Sequence, residues 1–305
     1  MRPTLVIATR KSPLALKQAD YISTRLSLHY PSLSVKLLGL TTTADERLDI
    51  TLNRIGGKGL FVKELEEALL DKRADIAVHS MKDMPMILPD GLILPVITAR
   101  EDASDAFLSK RYDSLHAMPT GARIGTASLR RVTQLRHVFP QFHYLPLRGN
   151  VGTRLARLSA GDYDAIILAT AGLNRLGLHD HIVSKLPFSL SLPAAGQGAL
   201  AIECRALDED VLSLIKPLHD NKTAQCVLAE RALCQLLEGG CQVPLAAYAE
   251  LEGEVIFLRG LLANADGSII LKGEARGEDP IALGERVASG LLQQGARAIL
   301  DEFKQ

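Results

Sequence analysis

The 305-residue sequence contains no tryptophan and only six tyrosines and seven phenylalanines. Single-stranded nucleic acids are held largely by stacking on aromatic rings, so the sequence is poorly equipped for that class of partner. Net charge is also missing: 35 Lys and Arg balance 35 Asp and Glu. That removes the global field that would gather a nucleic acid or an anionic membrane, and any anion site must be local. Long apolar runs are absent too. Leu5 to Ala8 is too short for a signal-peptide core, and the charge-free stretch from Leu186 to Ile202 is broken by Pro187, Pro193, Gly196 and Gly198. These absences predict a cytoplasmic protein with no membrane or nucleic-acid partner. The four cysteines, at 204, 226, 234 and 241, form no C-x-x-C pair and have no histidine at zinc-finger spacing. Neither a metal site nor a disulfide framework is expected.

What is present is apolar material in α/β rhythm. Strand-like runs at Leu5–Thr9, Val35–Leu40 and Ile76–His79 alternate with helical patterns at Ser12–Leu28 and Leu60–Leu70. A second series follows: Arg123–Gly125, a helix from about Ser128, Phe142–Leu147, a helix from Val151, and Ala165–Thr170. The chain crosses between the two series near 98–104 and 192–198, so the fold expected is two hinged α/β lobes. The first lobe takes residues 1–98 and 199–217, the second 104–192. Residues 221–305, with a helix at 223–237, three strand candidates and a final helix at 280–300, form a smaller α+β C-terminal domain.

Residues 121–176 hold eight arginines (123, 130, 131, 136, 148, 154, 157 and 175), no lysine, and only Asp162 and Asp164 as acids. Arginine without lysine suits planar, bidentate capture of carboxylate or phosphate better than a solvated surface does. Arg130 and Arg131 fall in the first turn of a predicted helix, where positive charge opposes the helix dipole unless an anion sits there. Register excludes a P-loop, since Leu52 and Gly59 occupy its required Gly and Ser/Thr positions. Gly196–Ala201 leads into an apolar run instead of opening a helix, which excludes a dinucleotide fingerprint. Lys82 and Asp83 follow an apolar strand at the end where α/β sheets place ligands, although an ordinary turn would use the same residues. His79, Cys204, Cys226 and Cys234 read as structural. Cys241 follows Gly239-Gly240, so it is either a cleft-exposed thiol or a buried small side chain.

The stretches Ile7–Ala15, Gly56–Phe61, Ala77–Asp83, Leu129–Arg131, Arg148–Asn150, Leu192–Ala199 and Glu238–Cys241, in this order and over essentially the whole length, resemble the porphobilinogen deaminase family, also called hydroxymethylbilane synthase. The lobes would then be periplasmic-binding-protein-like. The resemblance implies a monomeric transferase that joins four porphobilinogens head to tail, releases ammonia at each step, and hydrolyses the chain to hydroxymethylbilane. It further implies a dipyrromethane cofactor attached by a thioether to Cys241, with Asp83 as the catalytic carboxylate. By the same resemblance Lys82, Asp83, Ser80, Ser128, Arg130, Arg131, Arg148, Gly149 and Gly198 contact the cofactor. Arg10, Ser12, Arg148, Arg154, Arg175, Lys58 and Phe61 contact substrate. Each pyrrole carries an acetate and a propionate, which fits the lysine-free cluster. Two departures stand out: Ala127 replaces a family serine before the arginine pair, and Ala103-Ser104 replaces Pro-Arg. A two-lobed polycarboxylate-binding protein without catalysis is the alternative from another class.

Overall fold

The computed structural model describes residues 3–42, 62–238 and 243–304. In chain order the strands are β1 (Thr4–Arg10), β2 (Ser34–Leu40), β3 (Ile76–Ser80), β4 (Leu92–Ile97), β5 (Asp105–Ser109), β6 (Arg123–Gly125), β7 (His143–Leu145), β8 (Ala165–Ala169), β9 (Ser184–Lys185), β10 (Leu200–Arg205), β11 (Leu245–Glu252), β12 (Val255–Ala263) and β13 (Ile270–Gly277). The helices that matter below are α1 (Pro13–His29), α2 (Lys63–Leu70), α3 (Leu129–Val138), α4 (Val151–Ser159), α5 (Thr170–Arg175), α6 (Glu209–Ile215), α7 (Asn221–Leu236), α8 (Pro280–Gln293) and α9 (Ala296–Asp301). Two compact units result, one of Met1–Glu101 with Ala199–Ala224, the other of Asp102–Gly198 with Gln225–Gln305.

The first unit is built on a five-stranded sheet ordered β2-β1-β3-β10-β4. β1 pairs in parallel with β2 and β3, while β10 runs antiparallel to β3 and β4. Leu5, Ile7, Ile76, Val78 and Ile202 face α1 and α6. Ala8 and Ala77 face Leu65, Ala68 and Leu69 of α2. Both faces of the sheet are therefore covered, which is why its strands read as nearly continuous apolar runs. β4 is not among the strands expected from the sequence, and Pro95 lies within it. Proline cannot donate to a ladder, and β4 lies at the sheet edge, where that loss is tolerated.

The second unit repeats the plan as β7-β6-β8-β5-β9, again with one antiparallel strand, β5, beside the third position. Phe107, Ile124 and Ile167 pack with Leu135 and Phe139 on one side. Leu108, Ile166 and Leu168 pack with Leu158 and Leu173 on the other. The same unit carries the antiparallel sheet β11-β12-β13. The fold is thus the expected α/β class, two five-stranded sheets plus a smaller C-terminal sheet region. One correction concerns the continuous helix expected over 280–300. It breaks into α8 and α9 because Gly295 adopts φ 99°, a left-handed conformation that stops a helix.

α7 and α8 approach closely at Gly284, where an added Cβ would lie 2.5 Å from Ala229 O and 2.8 Å from Leu233 N. Helix propensity alone favours Gly284→Ala by about 1 kcal/mol. The clash is with rigid backbone, so overpacking of about 1–3 kcal/mol opposes that gain and exceeds it. Gly284→Ala is expected to unfold at lower denaturant concentration than wild type, as a urea titration would measure. Among the described residues, no helix is long and apolar enough to cross a membrane.

Candidate active site

In the first unit, the functional candidates gather at the carboxyl ends of β1 and β3. Arg10 is the last residue of β1. Ser12 caps α1, its hydroxyl accepting from Ala15 N at 3.3 Å, and Pro13 takes the following position, where no donor is needed. Ser80 ends β3, and its hydroxyl accepts from Gln18 Nε2 of α1 at 2.8 Å. Met81–Asp83 then form a single 3-10 turn. Met81 N donates to Ala199 O at 3.0 Å, and Met84 N donates to Met81 O at 3.2 Å. Met81 and Met84 are buried, whereas Lys82 is half-buried and Asp83 exposed. The two methionines anchor the turn, and Asp83 is presented beyond the sheet end.

His79 has the structural surroundings expected of it. It lies on β3 with its Nε2 2.9 Å from Glu203 Oε2, and both residues are buried. Cys204, Cys226 and Cys234 are buried as well. Burial pushes the Cys204 thiol up to about 11 and the Cys234 thiol up to about 12, so neither supplies a thiolate near neutral pH.

In the second unit, Ser128, Arg130 and Arg131 follow β6, Arg148 and Gly149 follow β7, and Arg175 ends the helix after β8. All occupy the carboxyl side of parallel strands, the end at which open α/β sheets bind ligands. Asn150 caps α4 by accepting from Thr153 N at 2.9 Å. Gly149 supports that start with φ 97°, and an added Cβ would lie 2.9 Å from Thr153 Cγ2. Arg154 Nε donates to Gly149 O at 2.8 Å, and Arg175 Nη2 donates to Gly198 O at 2.6 Å. Ser128 occupies the cap position of α3, but its side chain makes no cap bond.

The anion demanded by two cations in the first turn of α3 turns out to belong to the chain. Asp105, at the start of β5, accepts from Arg130 Nη1 at 2.9 Å and Nη2 at 3.2 Å. It also accepts from Arg131 Nη2 at 2.7 Å and Nε at 3.0 Å. Ser191 Oγ at 2.7 Å and Gln197 Nε2 at 3.0 Å complete the set. Burial pushes the Asp105 carboxyl up, but the two guanidiniums outweigh it and hold the group well below the usual carboxylate range. Asp105 is not among the site residues expected from the sequence. The available signal was a lone acid opening the apolar run Ala106–Leu108, a position that costs several kcal/mol unless paired. Glu230 was missed likewise. Buried on α7, it accepts from Gly196 N at 2.7 Å and Ala249 N at 2.8 Å, tying the 192–198 segment and β11 to that helix. That helix gives way at Glu238, which adopts φ 52°. Lys58, Phe61 and Cys241 lie outside the described residues.

Residues 5–213 match the family model described as porphobilinogen deaminase, dipyromethane cofactor binding domain, and residues 224–293 match porphobilinogen deaminase, C-terminal domain. A porphobilinogen deaminase of Chromobacterium violaceum is 54% identical over 298 residues, 97% of this chain and 96% of that protein. The chain belongs to the porphobilinogen deaminase family. Among solved structures, the methionine binding protein MetQ aligns with TM-score 0.47 and 12% identity, over 73% of this chain and 93% of its own. A nutrient binding protein from Burkholderia cenocepacia bound to methionine aligns with TM-score 0.43 and 15% identity, over 72% and 93%.

The cofactor named in the porphobilinogen deaminase model can be tested against the residues present. A dipyrromethane brings pyrrole N–H donors and several carboxylates. Carboxylates suit the arginines and the helix starts at Ser128 and Asn150. Gln197 Oε1 is buried without a hydrogen-bond partner, and it cannot be exchanged with Nε2, which donates to Ala103 O at 2.6 Å. An N–H group would satisfy it. The donor set therefore fits the group.

Proposed function

We propose that this protein catalyses the porphobilinogen deaminase reaction: four porphobilinogens are condensed head to tail with loss of ammonia, and the chain is hydrolysed to hydroxymethylbilane in tetrapyrrole biosynthesis. The 54% identity across 97% of the chain is the observation that carries this reading. When bound through Cys241, the dipyrromethane supplies the nucleophilic pyrrole carbon from which the product grows. Asp83, exposed at the end of β3, gives a proton to the departing amine of the substrate and stabilises the positive charge left on that ring. The same carboxylate then accepts the ring proton released on coupling. Lys82 and Ser80 hold the cofactor beside it, together with Ser128, Arg130, Arg131, Arg148, Gly149 and Gly198. Arg10, Ser12, Arg148, Arg154 and Arg175 bind the substrate's acetate and propionate, with Lys58 and Phe61 contributing from their own segment. We further assign the protein to the cytoplasm as a monomer, on the family resemblance.

The mass of the denatured protein tests the anchor. Wild type is expected to carry one dipyrromethane adduct and Cys241→Ser none; a full adduct on that variant would remove Cys241 from the role. A polycarboxylate-binding protein without catalysis would instead lose its ligand on denaturation and release no ammonia from porphobilinogen.

A further inference from the structure

We propose that Asp105 is a positioning residue for the cofactor carboxylates, acting through Arg130 and Arg131, and that the three side chains form a site built one negative charge short. The inference rests on the proposed function and deepens it. Asp105 is fully buried, and each arginine is only 6% exposed. A carboxylate offers about four lone-pair directions. Here they receive four guanidinium contacts, one hydroxyl and one amide, so the carboxylate is saturated. Further bonds fix the outer ends of the arginines. Arg130 Nη1 donates to Leu192 O at 2.6 Å, and Arg131 Nη1 donates to Ile167 O at 3.0 Å. One anion thus sets the plane of two guanidiniums on adjacent residues of α3 and joins them to Ser191 and Gln197.

The charge does not balance. Two cations and one anion leave a net positive charge in a low-dielectric setting, at a helix start that itself favours an anion. Burial pushes the Arg130 guanidinium down, and Asp105 only partly reverses this because Arg131 opposes it. A ligand carboxylate supplies the missing charge. A purely structural ion network would gain from a second acid, yet every other contact to these arginines among the described residues comes from a backbone carbonyl. The role assigned to Asp105 is to hold both forks in register for an incoming carboxylate while keeping their mutual repulsion tolerable.

The test uses full-length, cofactor-free protein and follows by intact mass how fast it gains the dipyrromethane on incubation with porphobilinogen. Measurements are made at temperatures where each variant is fully folded by circular dichroism. Asp105→Asn is expected to raise the half-saturating porphobilinogen concentration about tenfold or more, the size of a lost charged hydrogen bond, while the plateau rate changes less. Ser191→Ala removes one neutral contact to Oδ2 and spares every charge, so it provides a folding-tolerant second variant with a shift of about threefold. Unaltered half-saturation in the folded variants, with only the unfolding midpoint lowered, would reduce Asp105 to a structural role and overturn the inference. Wild type that gains no adduct and releases no ammonia would overturn the underlying reading and this inference with it.

Discussion

Asp83→Asn is expected to lower turnover of porphobilinogen about 10²–10³-fold, the usual consequence of removing a group that stabilises charge developing in the transition state. The substitution keeps the shape of the side chain but removes its charge and its ability to exchange a proton. Because Asp83 is exposed and the turn is anchored by buried Met81 and Met84, folding stability is expected to change by no more than about 0.5 kcal/mol. The adduct mass should persist, since Cys241 is untouched. Ammonia release in a single turnover, measured beside the thermal midpoint, separates the two effects. Asp83→Glu retains the charge one methylene further out and should fall between wild type and Asn. Turnover of Asp83→Asn within about threefold of wild type would take this residue out of the chemistry.

The placement of Asp83 was legible because it depends on local grammar: an apolar strand, a turn, and Pro85 to stop the strand. The helix starts at Ser12 and Asn150 were legible for the same reason, as caps are short-range hydrogen bonds. The family resemblance then identified which arginines to watch. What the sequence could not disclose is the partner of a buried charge. Asp105 lies 25 residues from Arg130 and 86 from Ser191, and only the folding of the second unit brings them together. Arginines read as awaiting an external anion already hold an internal one, and their net charge is +1, not +2. Long-range pairing also explains why Glu203 and Glu230 went unremarked. Each is an acid in an apolar element whose partner, His79 or Gly196 N, comes from a different part of the chain.

Glu66 carries the second large expectation, which concerns pH. Glu66 lies on α2, and the register that sets Ala77 opposite Glu203 and Ala201 opposite His79 places those side chains on the sheet face that α2 covers. Glu66 Oε1 and Glu203 Oε1 are both buried without a hydrogen-bond partner. Burial first, then the charges of Glu203 and Glu67, raise the Glu66 carboxyl from 4.5 to about 7. The sign follows from proton linkage. The folded protein holds a proton on Glu66 that the unfolded chain has released, so folding takes up a proton between these two values. The contribution is intact below pH 4.5 and is lost progressively as pH rises to about 7. At about 1.4 kcal/mol per pH unit, the ceiling is about 3 kcal/mol. Glu66→Gln keeps the shape and stays neutral, so its stability relative to wild type is expected to rise with pH and level off near pH 8. The measurement is a urea unfolding midpoint for both proteins at pH 4, 6 and 8. His79 and Glu203 are retained in both proteins, so the difference reports the Glu66 carboxyl together with its coupling to Glu203. A difference that stays constant across that range would show that folding leaves the Glu66 carboxyl at its ordinary value, and would overturn the expectation.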